Sequence, residues 1–183
     1  MDMPSPPDLA GRDRAALVKH LTSYWQMEAA NVLFVPAMAW FLIARFGDAP
    51  DLAFWLGAAA CSGLLVIGAA AWRFALAGLQ GKPDLAARLT AFCAAAELPG
   101  LVLTGVATIA TAAAVVANGW PPRTIAAAVL TALAWAEYVN YYHWQLQNFD
   151  SLIDLKRLAA GRGLRRAHMG RAVRAHRRKR AAG

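Results

Sequence analysis

Four long apolar stretches, almost free of charge, decide what this chain can fold into. They run from about Trp25 to Ala44, from Phe54 to Leu79, from Thr90 to Ala117 and from Thr124 to Leu146. A helix needs about 20 mostly apolar residues to cross a bilayer, and each stretch reaches that length. A buried bundle in a soluble protein is the alternative, but short connections and nearly uncharged stretches disfavour it. The sequence therefore predicts an all-α integral membrane protein with four transmembrane helices in a bundle.

The predicted organisation has three parts. Residues 1–24 form a cytoplasmic N-terminal segment with an interfacial amphipathic helix, in which Leu17, Leu21 and Tyr24 share one face. Residues 25–148 form the transmembrane domain. Residues 149–183 form a basic cytoplasmic helical tail, where Ser151 and Asp154 resemble a capping box that begins a short helix to about residue 160.

The distribution of basic residues predicts the orientation. With an even number of spans, both termini lie on the same side of the membrane as the connection between spans two and three. Seventeen of the nineteen lysines and arginines are on that side, and only Arg45 and Arg123 are on the other. Basic segments stay preferentially in the cytoplasm. We therefore expect both termini to be cytoplasmic, in a bacterial-type cytoplasmic (inner) membrane.

The three glutamates of the chain are the strongest indication of a functional site. Glu28, Glu97 and Glu137 each lie inside an apolar stretch, whereas all eight aspartates lie outside these stretches. A carboxylate in hydrocarbon costs several kcal/mol unless it is paired, hydrated or protonated. Structural hydrogen bonding between helices is the alternative explanation, but one polar pair would suffice for that.

All four spans place polar side chains in the cytoplasmic half of the membrane. Counting residues at about 1.5 Å each brings them to a similar depth, and the outer half has almost none. We therefore predict one ligand-binding site, formed by Glu28, Asn31, Arg73, Glu97, Glu137, Asn140, Tyr141 and His143.

Spans one and four repeat a short pattern. Glu28 precedes Asn31 by three residues, and Glu137 precedes Asn140 by the same spacing, so each pair shares one helix face. If the two antiparallel helices packed face to face, Glu28 would lie level with Asn140. Each carboxyl would then meet a carboxamide that can donate to it.

The chemistry of the site remains open at the level of sequence. Glu28, Glu97, Glu137 and His143 are metal ligands by type, and four-helix bundles hold di-metal carboxylate sites. Those sites use Glu-x-x-His, whereas this chain has Glu-x-x-Asn, so a metal is disfavoured and any cofactor is unknown. Glu137 and His143 are the candidate catalytic residues, but two residues do not define a reaction.

The function predicted from these patterns is the binding or processing of a lipid-like or amphipathic ligand in the cytoplasmic leaflet. A proton- or cation-coupled transporter or channel would use the same residues. A non-catalytic membrane subunit or assembly factor that docks through its basic tail is the third alternative.

Composition also suggests partners. Eleven basic residues between Lys156 and Arg180 favour contact with anionic lipid headgroups. Nucleic acid is disfavoured because no aromatic platform accompanies the charge. Spans two and three are rich in glycine and alanine, which allow close helix packing within one subunit or in a homo-oligomer.

Overall fold

The computed structural model of this chain describes residues 6–144 and 166–182. Within these ranges five α-helices form: α1 (Pro6–Arg45), α2 (Leu52–Leu79), α3 (Pro83–Asn118), α4 (Pro122–Tyr142) and α5 (His168–Ala181). An isolated antiparallel bridge joins Trp144 to Arg166, so the described tail returns to the end of α4. The predicted short helix over residues 151–160 lies outside the described residues, as do residues 145–148 of the predicted transmembrane domain.

Among the described residues, three helices are long and apolar enough to cross a membrane by length and composition. They are the part of α1 from Arg14 to Arg45, all of α2 and all of α3. α4 has 21 residues, but Glu137, Asn140 and several tyrosines near its end make it less apolar. The structure therefore supports an all-helical membrane protein, and length and composition identify three spans rather than the predicted four.

The ends of the helices follow local sequence signals. Asp51 is the N-cap of α2, and its Oδ1 accepts a hydrogen bond from the Phe54 backbone N–H at 2.9 Å. Pro83 and Pro122 occupy the first positions of α3 and α4, where a missing N–H costs nothing. α1 continues without a break through residue 24, so the predicted amphipathic helix and the first span are one helix.

α2 is the central helix of the bundle and packs against α1, α3 and α4. Small residues in α2 and α3 allow these helices to pack closely. A Cβ at Gly57 would lie 3.1 Å from the Ala127 carbonyl of α4, and a Cβ at Gly100 of α3 would lie 3.4 Å from Leu64 of α2. The small residues predicted to allow close packing are therefore used within the subunit. The homo-oligomer remains a prediction.

Large apolar side chains are exposed along the outer surface of the four long helices. Examples are Phe34 and Phe41 of α1, Trp55 of α2, Ile109 of α3 and Val129 of α4. Such a surface would be costly in water but is the surface that lipid chains contact.

Candidate functional site

Two of the three glutamates meet inside the bundle. The Tyr141 hydroxyl of α4 donates a hydrogen bond of 2.8 Å to Oε1 of Glu28 in α1. Glu28 is 3% exposed and Tyr141 is 5% exposed. The Glu137 carboxyl group interacts with Tyr141 and Asn140 on its own helix and electrostatically with Glu28. We call Glu28, Glu137, Asn140 and Tyr141 the carboxyl cluster.

The structure gives Glu28 a hydrogen-bond partner on α4 that the sequence analysis did not pair with it. That partner is Tyr141, which follows Asn140, whose carboxamide interacts with Glu137. The position of Tyr141 depends on α2, because Gly68 leaves the space that the Tyr141 hydroxyl occupies. Any side chain at residue 68 would overlap this hydroxyl.

One oxygen of the carboxyl cluster lacks a partner. Oε2 of Glu137 is buried and has no hydrogen-bond partner among the described residues. An unpaired buried acceptor is costly, so this atom is a position where a proton, a water molecule or a donor group of a ligand would be stabilised.

A cavity of about 220 Å³ opens beside the carboxyl cluster. We call it the inner cavity. The inner cavity has three sides. One side is formed by Asn140 and Tyr141 of α4, the second by Ala71, Trp72 and Ala75 of α2, and the third by Ala167, His168 and Met169 at the start of α5.

Most of the lining of the inner cavity is apolar, and Trp72, His168, Asn140 and Tyr141 are the lining residues whose side chains carry hydrogen-bonding groups. Nε1 of Trp72 is buried and has no hydrogen-bond partner among the described residues. Desolvation and then the nearby charge of Arg171 lower the pKa of His168 below its usual 6.5, so that its imidazole is neutral near pH 7. An apolar cavity with a few hydrogen-bonding groups is typical of a small-molecule site.

Glu97 lies apart from the carboxyl cluster. Its Oε2 atom is 2.9 Å from Nη2 of Arg177 in α5, and the same nitrogen donates to the Ala94 carbonyl at 3.1 Å. Its electrostatic neighbours also include Tyr138 and Tyr142 of α4. Glu97 therefore anchors the tail helix to α3.

The remaining predicted site residues also lie outside the cluster. Arg73 is exposed, and its guanidinium lies 5.1 Å from the ring centroid of Trp25. His143 is exposed, and its ring packs on Tyr138 at 5.4 Å rather than on Glu137. Asn31 is half-buried one turn from Glu28. The contacts of His143 are therefore with Tyr138, whereas those of Glu137 are with Tyr141, Asn140 and Glu28.

The geometry does not assemble a metal site from the candidate ligands. Glu28 and Glu137 are neighbours, Glu97 is paired with Arg177, and His143 packs on a tyrosine. In the part of the chain that the structure describes, no group of three or more His, Cys, Asp or Glu side chains could hold a metal ion.

Sequence reasoning missed three residues of this region. Gly68 is one of many small residues in α2, Trp72 is one of the seven tryptophans of the chain, and Arg177 is one of many tail arginines. The spacing between Gly68 and Trp72, one helical turn, was the only local signal that they share a face. Nothing in the local sequence singles out Arg177.

Comparison of the chain with protein-family models, with curated proteins and with solved structures finds no match.

Proposed function

We propose that α4 is a fourth transmembrane helix and that both termini are cytoplasmic. Its 21 residues span about 31 Å, close to the thickness of a bilayer core. It packs along α2 and α3, and the apolar side chains of Ile125, Val129 and Leu133 are exposed. The polar groups that lower its hydropathy, Asn140 and Tyr141, are buried in the bundle, so they do not meet lipid.

We propose that the protein binds an amphipathic, lipid-like molecule in the cytoplasmic leaflet, with its head group in the inner cavity. The observation that carries this proposal is the position of the inner cavity beside the carboxyl cluster. Tyr141 belongs to both, since its ring lines the cavity and its hydroxyl donates to Glu28. A bound group in the cavity would therefore contact a side chain that interacts with both Glu28 and Glu137.

The size of the inner cavity favours a head group over a whole ligand. Sites for drug-sized molecules are about 300–1,000 Å³, whereas this cavity is about 220 Å³. The N–H of Trp72, which has no hydrogen-bond partner among the described residues, would donate to a phosphate, carbonyl or hydroxyl oxygen that reached it. The carboxyl groups behind Tyr141 would favour a cationic or donor group, so a zwitterionic head group combines both requirements.

Filling the cavity tests this proposal. Ala75 lines the inner cavity, so Ala75→Phe should occlude it, whereas Ala59→Phe adds the same ring to an exposed position of the same helix. We expect lipid analysis of the purified chain to find a bound amphipathic molecule in the wild type and in Ala59→Phe. Ala75→Phe should retain at least tenfold less. Equal retention by both variants, or no bound molecule in the wild type, would show that the inner cavity is not the site.

A proton- or cation-coupled transporter is the second candidate, and the linkage of Glu28 to Glu137 through Tyr141 favours it. Two carboxyl groups in one buried cluster can bind and release the proton or cation whose movement is coupled to that of a substrate. Glu137→Gln keeps the shape of the side chain but removes its charge. If the candidate is right, proton uptake into vesicles containing the wild-type chain should fall to the background level in this variant. Unchanged uptake would exclude it.

A further inference from the structure

α5 is a basic helix with two distinct faces. Met169, Gly170 and Val173 are buried against the bundle, where a Cβ at Gly170 would overlap the Tyr142 carbonyl. Arg177 completes this inner face through Glu97. The inner face is therefore already occupied by α3 and α4, and it is not available to a partner protein.

The opposite face of α5 is positively charged and exposed. Arg171, Arg178 and Lys179 lie there, and Arg174 is half-buried at its edge. We call Arg171, Arg178 and Lys179 the outer basic face. α5 contains no acidic residue, and the ion pairs found in the described part of the chain involve Arg123 and Arg177 rather than these residues. Among the described residues, the outer basic face is thus a positive charge without an acidic partner, held in a fixed place.

The depth of α5 decides what this charge meets. Tyr142 and Glu97, which contact α5, each lie about 20 residues from the outer ends of their helices, or about 30 Å at 1.5 Å per residue. A bilayer core is about 30 Å thick. α5 therefore lies at the level of the cytoplasmic head groups.

We infer that the outer basic face of α5 binds anionic phospholipid head groups of the membrane in which the chain is embedded. Charge complementarity and depth both select this partner. Nucleic acid fits less well, because α5 carries no phenylalanine, tyrosine or tryptophan on which a base could stack. Because α5 is folded and docked, its charges are prearranged along one helix face. The site is separate from the inner cavity and does not depend on the function proposed for that cavity.

The test uses the full chain in two bilayers, one of phosphatidylcholine and one in which part of it is replaced by phosphatidylglycerol. The variant Arg171→Gln/Arg178→Gln/Lys179→Gln removes the outer basic face. The control Lys19→Gln/Lys82→Gln/Arg88→Gln removes the same charge from exposed cytoplasmic positions outside α5. Native mass spectrometry of chain released from each bilayer then counts the bound phosphatidylglycerol molecules.

We expect the wild type and the control to bind phosphatidylglycerol in preference to phosphatidylcholine. In the α5 variant this preference should fall at least tenfold, because each basic residue near an anionic surface raises the binding constant about fivefold. High salt should weaken the preference of the wild type. Amide exchange of α5 should be unchanged, because the substituted side chains are exposed. An α5 variant as selective as the wild type would overturn the inference. So would tight binding of an RNA oligonucleotide that phosphatidylglycerol does not displace.

Discussion

Tyr141 is the side chain that connects the two buried carboxyl groups of this protein. Its hydroxyl donates to Glu28, interacts with Glu137 and rests in the space left by Gly68. Interhelical hydrogen bonds in membranes contribute about 0.6 kcal/mol on average, so stability alone does not require such a network. Its position beside the inner cavity is what gives it a functional interpretation.

Gly68→Ala should destabilise the bundle. A Cβ at this position would overlap the Tyr141 hydroxyl and lie 2.5 Å from the adjacent ring carbon. Overpacking of this kind costs about 1–3 kcal/mol, which thermal or denaturant unfolding in detergent would measure. Gly63→Ala is the matched control, since nothing lies within 4 Å of its Cβ. Equal stability of the two variants would mean that Gly68 is not needed for the approach of Tyr141.

At the scale of elements, α5 is held by apolar burial more than by its ion pair. Val173 is 1% exposed, and burying a valine stabilises by about 1.5–3 kcal/mol. The Arg177 side chain is 53% exposed, and ion pairs with this much exposure contribute about 0–1 kcal/mol.

Val173→Ala should therefore raise amide exchange in α5 by about tenfold, and Arg177→Gln by about fivefold or less. Hydrogen exchange measured by mass spectrometry would compare the two, with the exposed Arg178→Gln as the control. If Arg177→Gln loosens α5 as much as Val173→Ala, the ion pair with Glu97 is the main attachment of the helix.

The connection between α1 and α2 is attached to the start of α4. Oδ2 of Asp48 accepts from the Arg123 backbone N–H at 3.0 Å, and Oδ1 accepts from the Arg123 guanidinium at 2.6 Å. The backbone hydrogen bond is the largest influence on the pKa of Asp48, and together with the guanidinium it lowers that pKa below its usual 3.8, against an opposing effect of desolvation.

Asp48→Asn should lower the melting temperature near neutral pH. Because the pKa is lower in the folded state, the stabilisation is fully present above the unfolded pKa of about 3.9 and is lost as the pH falls through the folded value. The difference from the wild type should therefore shrink below about pH 4. Asp84→Asn, at an exposed position of α3, should show no such convergence. A constant difference across this range would contradict the proposed role of the ionised carboxylate.

At the scale of the whole molecule, α2 organises the bundle and the charged groups lie at its two ends. Asp48, Asp51 and Arg123 form a charged cluster at the start of α4 and of α2, and α5 lies against the end of α4 and against α3 near Glu97.

Cysteine labelling would test the proposed topology. Cys61 and Cys93 are 1% and 0% exposed, so they should contribute little background. With four spans, a cysteine at Ala49 should react with an impermeant reagent from outside. Cysteines at Asp84 and Ala182 should react only after the membrane is permeabilised. Labelling of residue 84 from outside would reverse the orientation, and labelling of residues 49 and 182 from the same side would exclude four spans.

The sequence by itself determined the all-helical class, the long apolar helices and the positions of several helix ends. These properties depend on local composition, on capping residues such as Asp51 and on a helical period that a single segment displays. The sequence also placed Glu28 and Glu137 at similar depth, because depth in a bilayer follows from counting residues along each helix.

Only the tertiary structure decided which polar groups meet. Glu28 faces Tyr141 because Gly68 lets α4 approach α2 at that level. Glu97 lies outside the carboxyl cluster and pairs with Arg177, because α5 packs against α3. Both outcomes depend on helix rotation and on contacts between residues far apart in the chain, and no local pattern specifies either of them.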